Sequence, residues 1–458
     1  MTEMEIDAIR AEVNFVDETM RDGNQSLWDA TGITTPMILS VAPIMDRVGF
    51  KSIVLTASTL MRLQVRMHHE NPWDSIRLVA KAMPRTPLTF LTTGRRFMTF
   101  TVTPLSVMVL VFQRMIANGI RRIWILDTSH EPEATFRMAR IAKAAGAEEV
   151  VGSLIYSISP VHNDEFYVKK AREIAKCPDI DAIMMEDVGG LLTPERTRTL
   201  VPLIQQNIGE LPFELHAHCN TGLAPICYLE AIKLGVRTIS TCVSPLANGT
   251  SLPSTENILK NIRRLGYSAN LDEEALEAMA AHFRGIAEKE SQPLGAPLEH
   301  DVYYYEHQIP GGMVTTLKRQ LSEIGMEHRL DEILEEAIRV RKELGYPIMV
   351  TPFSQFVVTQ ATHNITTSER YKVVPQGVIQ YVAGWFGKPP ASIDQNILDK
   401  ISSLPQAKTI LNTEPPEPSI QELRQKIGTG LSDDEFLLRL VLTDEEIKGL
   451  HPIKTQYP

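Results

Sequence analysis

The chain has 458 residues, 43% hydrophobic and 22% charged, with a formal net charge of −10. Such ordinary globular composition excludes a disordered tail protein and a collagen-like rod. The acidic balance, with no basic run, excludes the electrostatic footprint of a nucleic-acid binder.

The N-terminal stretch MTEMEIDAIR has no positively charged start followed by an apolar core, so no secretory signal is expected. No uninterrupted apolar window of about eighteen residues exists, and no membrane span is expected. The four cysteines, Cys177, Cys219, Cys227 and Cys242, form no C-x-x-C pair. They read as buried thiols of a cytoplasmic protein rather than as a disulfide framework or a zinc ribbon.

Along the first 265 residues a short apolar, β-rich run alternates with a longer amphipathic stretch. The runs are 14–17, 52–56, 88–92, 122–127, 150–156, 182–187, 213–218 and 237–242. Their spacing, roughly 25–40 residues, is that of a strand and helix returning to a parallel neighbour. Eight such units predict an α/β fold with a (β/α)8 TIM barrel over 1–268, in preference to an open doubly wound sheet. Many runs end in a polar residue, among them Asp17, Thr92, Asp127, Glu186, Asp187, His216 and His218. A barrel would gather these ends at one mouth, whereas an open sheet would spread them along a line.

Beyond the barrel, 270–290, 312–324, 330–344 and 376–385 carry apolar residues at helical spacing. They predict a mainly helical domain over 269–403, followed by a charged tail over 404–458.

Four clusters carry chemistry. His216 and His218 lie two apart at a strand end, so both imidazoles face the same way and can share one divalent metal. As mere interior fillers they would be buried without partners, which is costly. At the first strand end, Arg21, Asp22 and Gln25 place a guanidinium, a carboxylate and an amide in one loop. Asp22 completes a metal set, and Arg21 and Gln25 suit an anionic or carbonyl-bearing substrate. Glu186 stands at the end of the sixth run, as a metal ligand or as a carboxylate orienting an imidazole. After the eighth run, Thr250 lies in a small-residue loop of the kind that holds an anionic group or passes a proton. With no thiolate set, the expected metal is manganese, zinc, cobalt or magnesium.

DETMRDGNQS, EDVGGLLTPE, ELHAHCNTGLA and NGTSLPS, in this order, resemble the carboxyltransferase domain of biotin-dependent enzymes such as pyruvate carboxylase and the oxaloacetate decarboxylase alpha subunit. YEHQIPGG at 305–312 and GWFGKPP at 384–390 resemble that family's conserved carboxylase domain. The resemblance implies Asp22, His216 and His218 as metal ligands, with Arg21 and Gln25 on a 2-oxo acid. It implies Thr250 as the residue that passes a proton between biotin and the enolate. It also implies a homo-oligomer that moves CO2 between carboxybiotin and the enolate of an acyl substrate.

Several positions depart from the family pattern. Glu186 stands where the family has a carbamylated lysine ligand, and direct ligation through its shorter arm requires a local shift or a bridging water. Thr93 stands where the family has a substrate-binding arginine, with Arg95 and Arg96 close by. Phe100 replaces a tyrosine and Arg62 an aspartate. Thr93 and Arg95 are therefore the expected substrate-binding residues on that side, and the acyl substrate is expected to be larger than pyruvate or differently charged. No Met-Lys-Met biotin-attachment motif is present, so biotin is expected on a separate carrier protein, with a biotin carboxylase subunit as a further partner. The competing reading is a biotin-independent metal lyase or Claisen-type enzyme on the same barrel.

Overall fold

The computed structural model describes residues 11–367, 369–411 and 413–457. Eight parallel strands close into a barrel in sequence order, with β1 pairing β8. They are β1 (Asn14–Asp17), β2 (Ser52–Ala57), β3 (Leu88–Thr92), β4 (Ile120–Ile125), β5 (Glu149–Ile155), β6 (Ala182–Asp187), β7 (Phe213–Ala217) and β8 (Thr238–Thr241). Alternation along each strand explains the closure. Phe15, Ile53, Phe90 and Ile123 face the surrounding helices. Their neighbours Val16, Val54, Leu91 and Trp124 fill the barrel interior.

The ends differ from expectation where a side chain captures the backbone. β4 stops at Ile125 because Asp127 accepts the amides of Ser129 (3.0 Å) and Glu131 (2.8 Å) and opens the helix Pro132–Ala144. β7 stops at Ala217, yet the His218 amide donates to the Asp187 carbonyl at 3.0 Å, which keeps His218 beside the end of β6.

The main helices after the barrel include Glu273–Lys289, Gly311–Glu323, Leu330–Glu343, Phe353–Thr366 and Gln376–Val382, with further helices of nine residues or fewer beyond. Phe353–Thr366 is the longest that sequence periodicity misses. It buries polar Gln360 and Asn364, which bond each other at 2.8 Å, so its apolar period is broken. Glu273–Lys289 packs Leu276, Met279, Phe283 and Ile286 into the barrel's outer core. Phe436, Leu437 and Leu438 of the C-terminal segment join the same core.

A second core centres on Leu317, Ile333, Val340, Val357 and Tyr371. The two units meet at the barrel mouth. Ile348 and Val350 enter the barrel's interior cluster, and the Arg341 guanidinium crosses to the Ser157 hydroxyl (2.9 Å) and the Ile158 carbonyl (3.0 Å). All four cysteines are buried and free. Among the described residues no helix is long and apolar enough to cross a membrane.

The opposite end of the barrel holds a buried ion cluster. Arg122, 1% exposed, pairs with Glu214 at 2.5 Å and Glu149 at 2.8 Å, and Lys51 reaches the same two carboxylates. Breaking such a pair strands a buried charge, at about 3–5 kcal/mol. Arg122→Met is expected to lower the unfolding free energy from urea titration by about 3 kcal/mol, near the lower end of that range, because Lys51 still faces Glu214. An unchanged midpoint would show that Lys51 alone neutralises the cluster.

Candidate active site

Directly after β1 the chain coils tightly through Thr19–Gly23 and Asn24–Leu27, which turns Arg21 and Asp22 inward under the strand ends. Gly23 allows the close passage: a Cβ there would sit 2.9 Å from Leu246. The Asp22 Oδ2 atom lies 3.2 Å from His216 Nε2 and 3.3 Å from His218 Nε2. The three ligand atoms lie within 4.8 Å of one another. One carboxylate and two imidazoles in this arrangement fit a divalent ion with open positions.

The outer nitrogen of His218 is hydrogen-bonded and that of His216 faces a carboxylate, an arrangement that aims the inner ones at Asp22. His218 Nδ1 donates to the Thr250 carbonyl at 2.7 Å. His216 Nδ1 faces Glu18 Oε1 at 3.4 Å. Glu18 is fully buried, and its carboxylate faces this imidazole and, at 3.9 Å, Arg21 Nη1. It is a carboxylate behind a ligand imidazole that sequence reasoning missed, although it adjoins Asp17 in the same motif.

The electrostatics follow from burial and charge. Burial opposes ionisation of Asp22, but Arg21, whose Nη1 lies 2.5 Å away, and the two histidines hold its carboxyl well below the usual range. Burial disfavours the His216 cation, yet the carboxylates of Asp22 and Glu18 outweigh it and raise the group to about 10. Burial pushes Glu186 up to about 7 against the pull of His216 and Arg21. Asp187, raised by burial to about 6, spends its oxygens on the amides of Leu191 (2.8 Å) and Leu192 (2.7 Å) and so holds its loop.

A cavity of about 350 Å³ opens above this centre. Arg21, Asp22, Gln25, Thr93, Glu186, His218 and Thr250 all line it. The Thr250 hydroxyl donates to the Ser26 carbonyl at 2.7 Å. Glu186 lies outside the three-residue ligand group. Arg95 is a correction: its guanidinium turns away to the Thr103 carbonyl (3.0 Å) and to Glu417. Arg96 is buried behind Thr93, bonded to the Thr93 carbonyl at 2.6 Å and stacked over Phe386 at 5.0 Å. Phe100 is exposed, and Arg62 pairs with Glu446 and the Val441 carbonyl, so neither lines the cavity.

The remaining wall comes from the helical unit through Gly311, Met313, Thr316, Arg319, Val350 and Thr351. A Cβ on Gly311 would lie 2.4 Å from both Asn220 Oδ1 and Thr250 Cγ2, so glycine is what lets this helix start against the threonine. YEHQIPGG is visible in sequence, but its position over Thr250 depends on how the two units dock.

Two family descriptions match the chain: HMGL-like over residues 12–282 and conserved carboxylase domain over residues 304–445. A pyruvate carboxylase subunit of Methanocaldococcus jannaschii is 37% identical over 391 residues, 85% of this chain and 68% of the relative. The 2-oxoglutarate carboxylase large subunit of Hydrogenobacter thermophilus is 30% identical, over 87% of this chain and 61% of the relative. Among solved structures, the carboxyl transferase domain of Rhizobium etli pyruvate carboxylase with pyruvate superposes with a TM-score of 0.86 at 20% identity. That superposition spans 98% of this chain and 78% of the other, and it shows the shared fold.

Proposed function

Because the chain belongs to the HMGL-like and conserved carboxylase domain family and is a biotin-dependent carboxyltransferase, we propose that its mouth cavity moves CO2 between carboxybiotin and an acyl substrate over a divalent ion. The observation that carries the site assignment is the convergence of Asp22, His216 and His218 beneath the cavity that Thr250 lines. These three residues would hold the ion, which polarises a carbonyl and lowers the cost of enolate formation. The fit is chemical: the donors are one carboxylate and two imidazoles, the outer nitrogen of one bonded to the Thr250 carbonyl and that of the other facing Glu18.

Each protein group has a role that follows from its place. Asp22 occupies Arg21 Nη1, while the Nε of Arg21 has no partner. Arg21 lines the cavity, where its guanidinium would meet an oxyanion of the substrate. Gln25 has an exposed amide on the same wall and orients a carbonyl or carboxylate. The Thr250 hydroxyl passes the proton to and from biotin. Biotin arrives on a carrier, charged by a biotin carboxylase subunit.

The acyl substrate is set by the wall at Thr93. Neither arginine that follows Thr93 faces the cavity, because Arg96 is held behind the backbone and Arg95 points away. Leu91, Leu126, Val188 and Val350 add apolar surface. Such a wall suits a larger or less charged acyl chain than that of pyruvate. The relatives are named for two different acids, pyruvate and 2-oxoglutarate, so the acceptor varies among them.

The test is oxaloacetate decarboxylation by metal-loaded protein, with and without free biotin. Stimulation by biotin is expected, and a panel of longer 2-oxo acids and acyl-CoAs then ranks the acceptors. Turnover that ignores biotin would favour a metal lyase. Pyruvate and oxaloacetate as the best of the panel would refute the altered acceptor.

A further inference from the structure

We propose that a second cavity, behind the acyl wall of the mouth, is a binding site for a small organic anion with an apolar or aromatic body. The cavity measures about 810 Å³. It backs onto the mouth across the ends of β3 and β4. Thr93 and Leu126 line the mouth, whereas Gly94, Ile125 and Asp127, their neighbours in the chain, line the second cavity.

Three parts of the chain wall it: the barrel, the turn at 384–387 and the C-terminal segment at 413–417. The motif GWFGKPP gives no residue to the mouth, yet Gly384, Trp385, Phe386 and Gly387 all line this cavity. Gly387 has a φ of 95°, and a Cβ there would lie 2.8 Å from Ser129 Cβ, so glycine lets the turn pack on the start of helix Pro132–Ala144. The Lys388 amide donates to Glu131 at 2.7 Å, and Trp385 Nε1 to the Thr413 carbonyl at 2.9 Å. The three parts are thus bonded to one another around the cavity.

The group that points to a ligand is Arg96. It lines the cavity and is 7% exposed. Its Nη1 donates to the Thr93 carbonyl at 2.6 Å, and its Nε has no partner. Asp127 is the carboxylate that acts on it, but Asp127 spends its oxygens on the Ser129 and Glu131 amides and on the hydroxyls of Ser129 and Thr135. The Phe386 ring covers the guanidinium at 5.0 Å. Burial lowers Arg96 to about 10, which leaves it a cation at neutral pH. A buried cation without a bound counter-ion is costly. The guanidinium fork matches a carboxylate or a phosphate.

The rest of the lining agrees. Arg137, exposed on the same helix, adds a second cation. Of the other carboxylates, Glu131 is taken by the Lys388 amide, and Glu417 by Arg95 and the Leu105 amide. Glu133 and Glu414 are exposed to solvent. Val102, Leu105, Ile125 and Met138 join the two aromatic rings as apolar surface, which suits a ligand with an apolar body.

The experiment is titration calorimetry on the full chain, free of divalent ions, with phenylacetate, phenyl phosphate, AMP and inorganic phosphate. At least one organic anion is expected to bind, and more tightly than inorganic phosphate. Phenylacetate against phenyl phosphate then identifies the head group. Arg96→Met is expected to weaken that binding by about 10- to 100-fold, as loss of a charged hydrogen-bonding partner does. Arg137→Glu, at an exposed position, is expected to weaken it several-fold. Asp22→Asn, which alters the mouth, is expected to leave it unchanged. Thermal melts without ligand show that the variants are folded, and if Arg96→Met is not, Arg137→Glu decides. Absence of binding by all four probes at millimolar concentration overturns the proposal. Equal affinity for inorganic phosphate and the organic anions overturns the apolar body. Binding that survives both arginine substitutions, or that Asp22→Asn removes, overturns the site and assigns the anion elsewhere.

Discussion

Asp22→Asn is expected to abolish metal binding and, with it, all turnover. Asp22 is the only anion among the three ligands, and its Oδ2 is the point on which both imidazoles converge, at 3.2 and 3.3 Å. Asparagine keeps the shape but loses the charge that attracts a divalent ion, and it leaves Arg21 buried beside a neutral amide. The expected loss of affinity exceeds the roughly 10–100-fold that follows removal of a hydrogen-bond partner behind a ligand. Glu18→Gln is the internal comparison, because Glu18 faces the outer nitrogen of His216 at 3.4 Å and Arg21 Nη1 at 3.9 Å and is not one of the three ligands, and its loss should fall within that range. Titration calorimetry with Mn2+ or Zn2+ ranks the two variants. The carboxylates of Asp22 and Glu18 favour the protonated form of His216, so metal uptake at neutral pH is expected to displace a proton, and the heat to change with the ionisation enthalpy of the buffer. Near-wild-type affinity in Asp22→Asn would remove the three-residue centre as the metal site.

Thr250→Ala is expected to cut biotin-stimulated oxaloacetate decarboxylation by about 10²- to 10⁴-fold in kcat while leaving metal affinity intact. The separation rests on geometry. His218 bonds the main-chain carbonyl of Thr250, which alanine keeps, whereas the hydroxyl faces the cavity and donates to Ser26. Only the proton path is therefore removed. Thr250→Ser should restore most of the rate, because serine carries the same hydroxyl. A Thr250→Ala enzyme as active as wild type, or one that loses its metal, would exclude the assigned role.

The residues of the site were legible in the sequence to different degrees. The metal pair was legible because His216 and His218 lie two residues apart at a strand end, and strand geometry alone makes them face the same way. Glu18 was not legible: its neighbour Asp17, the last residue of β1, is the same kind of residue, and only packing put one behind an imidazole and the other against Thr19 at 2.5 Å. Arg95 looked like a substitute for a missing cation because it is two residues from Thr93. The loop after β3 turns it to the C-terminal segment instead, where Glu417 and the Thr103 carbonyl hold it. Phe353–Thr366 escaped notice because Gln360 and Asn364 satisfy each other inside the core, and a buried polar pair has no hydrophobic period.

By itself the sequence determined the eight strand–helix units, the bulk of the helical unit and the residue types gathered at the strand ends. Those properties are local, set by burial periodicity within a single element. Tertiary structure decided that Asp22 stands beside two histidines about two hundred residues later in the chain, that Ile348 and Val350 close over the barrel interior, and that Glu186 faces the cavity outside the ligand group. Those facts depend on barrel closure and on the docking of the second unit. Distances between distant strand ends follow from the packing of the whole chain, which no local pattern encodes.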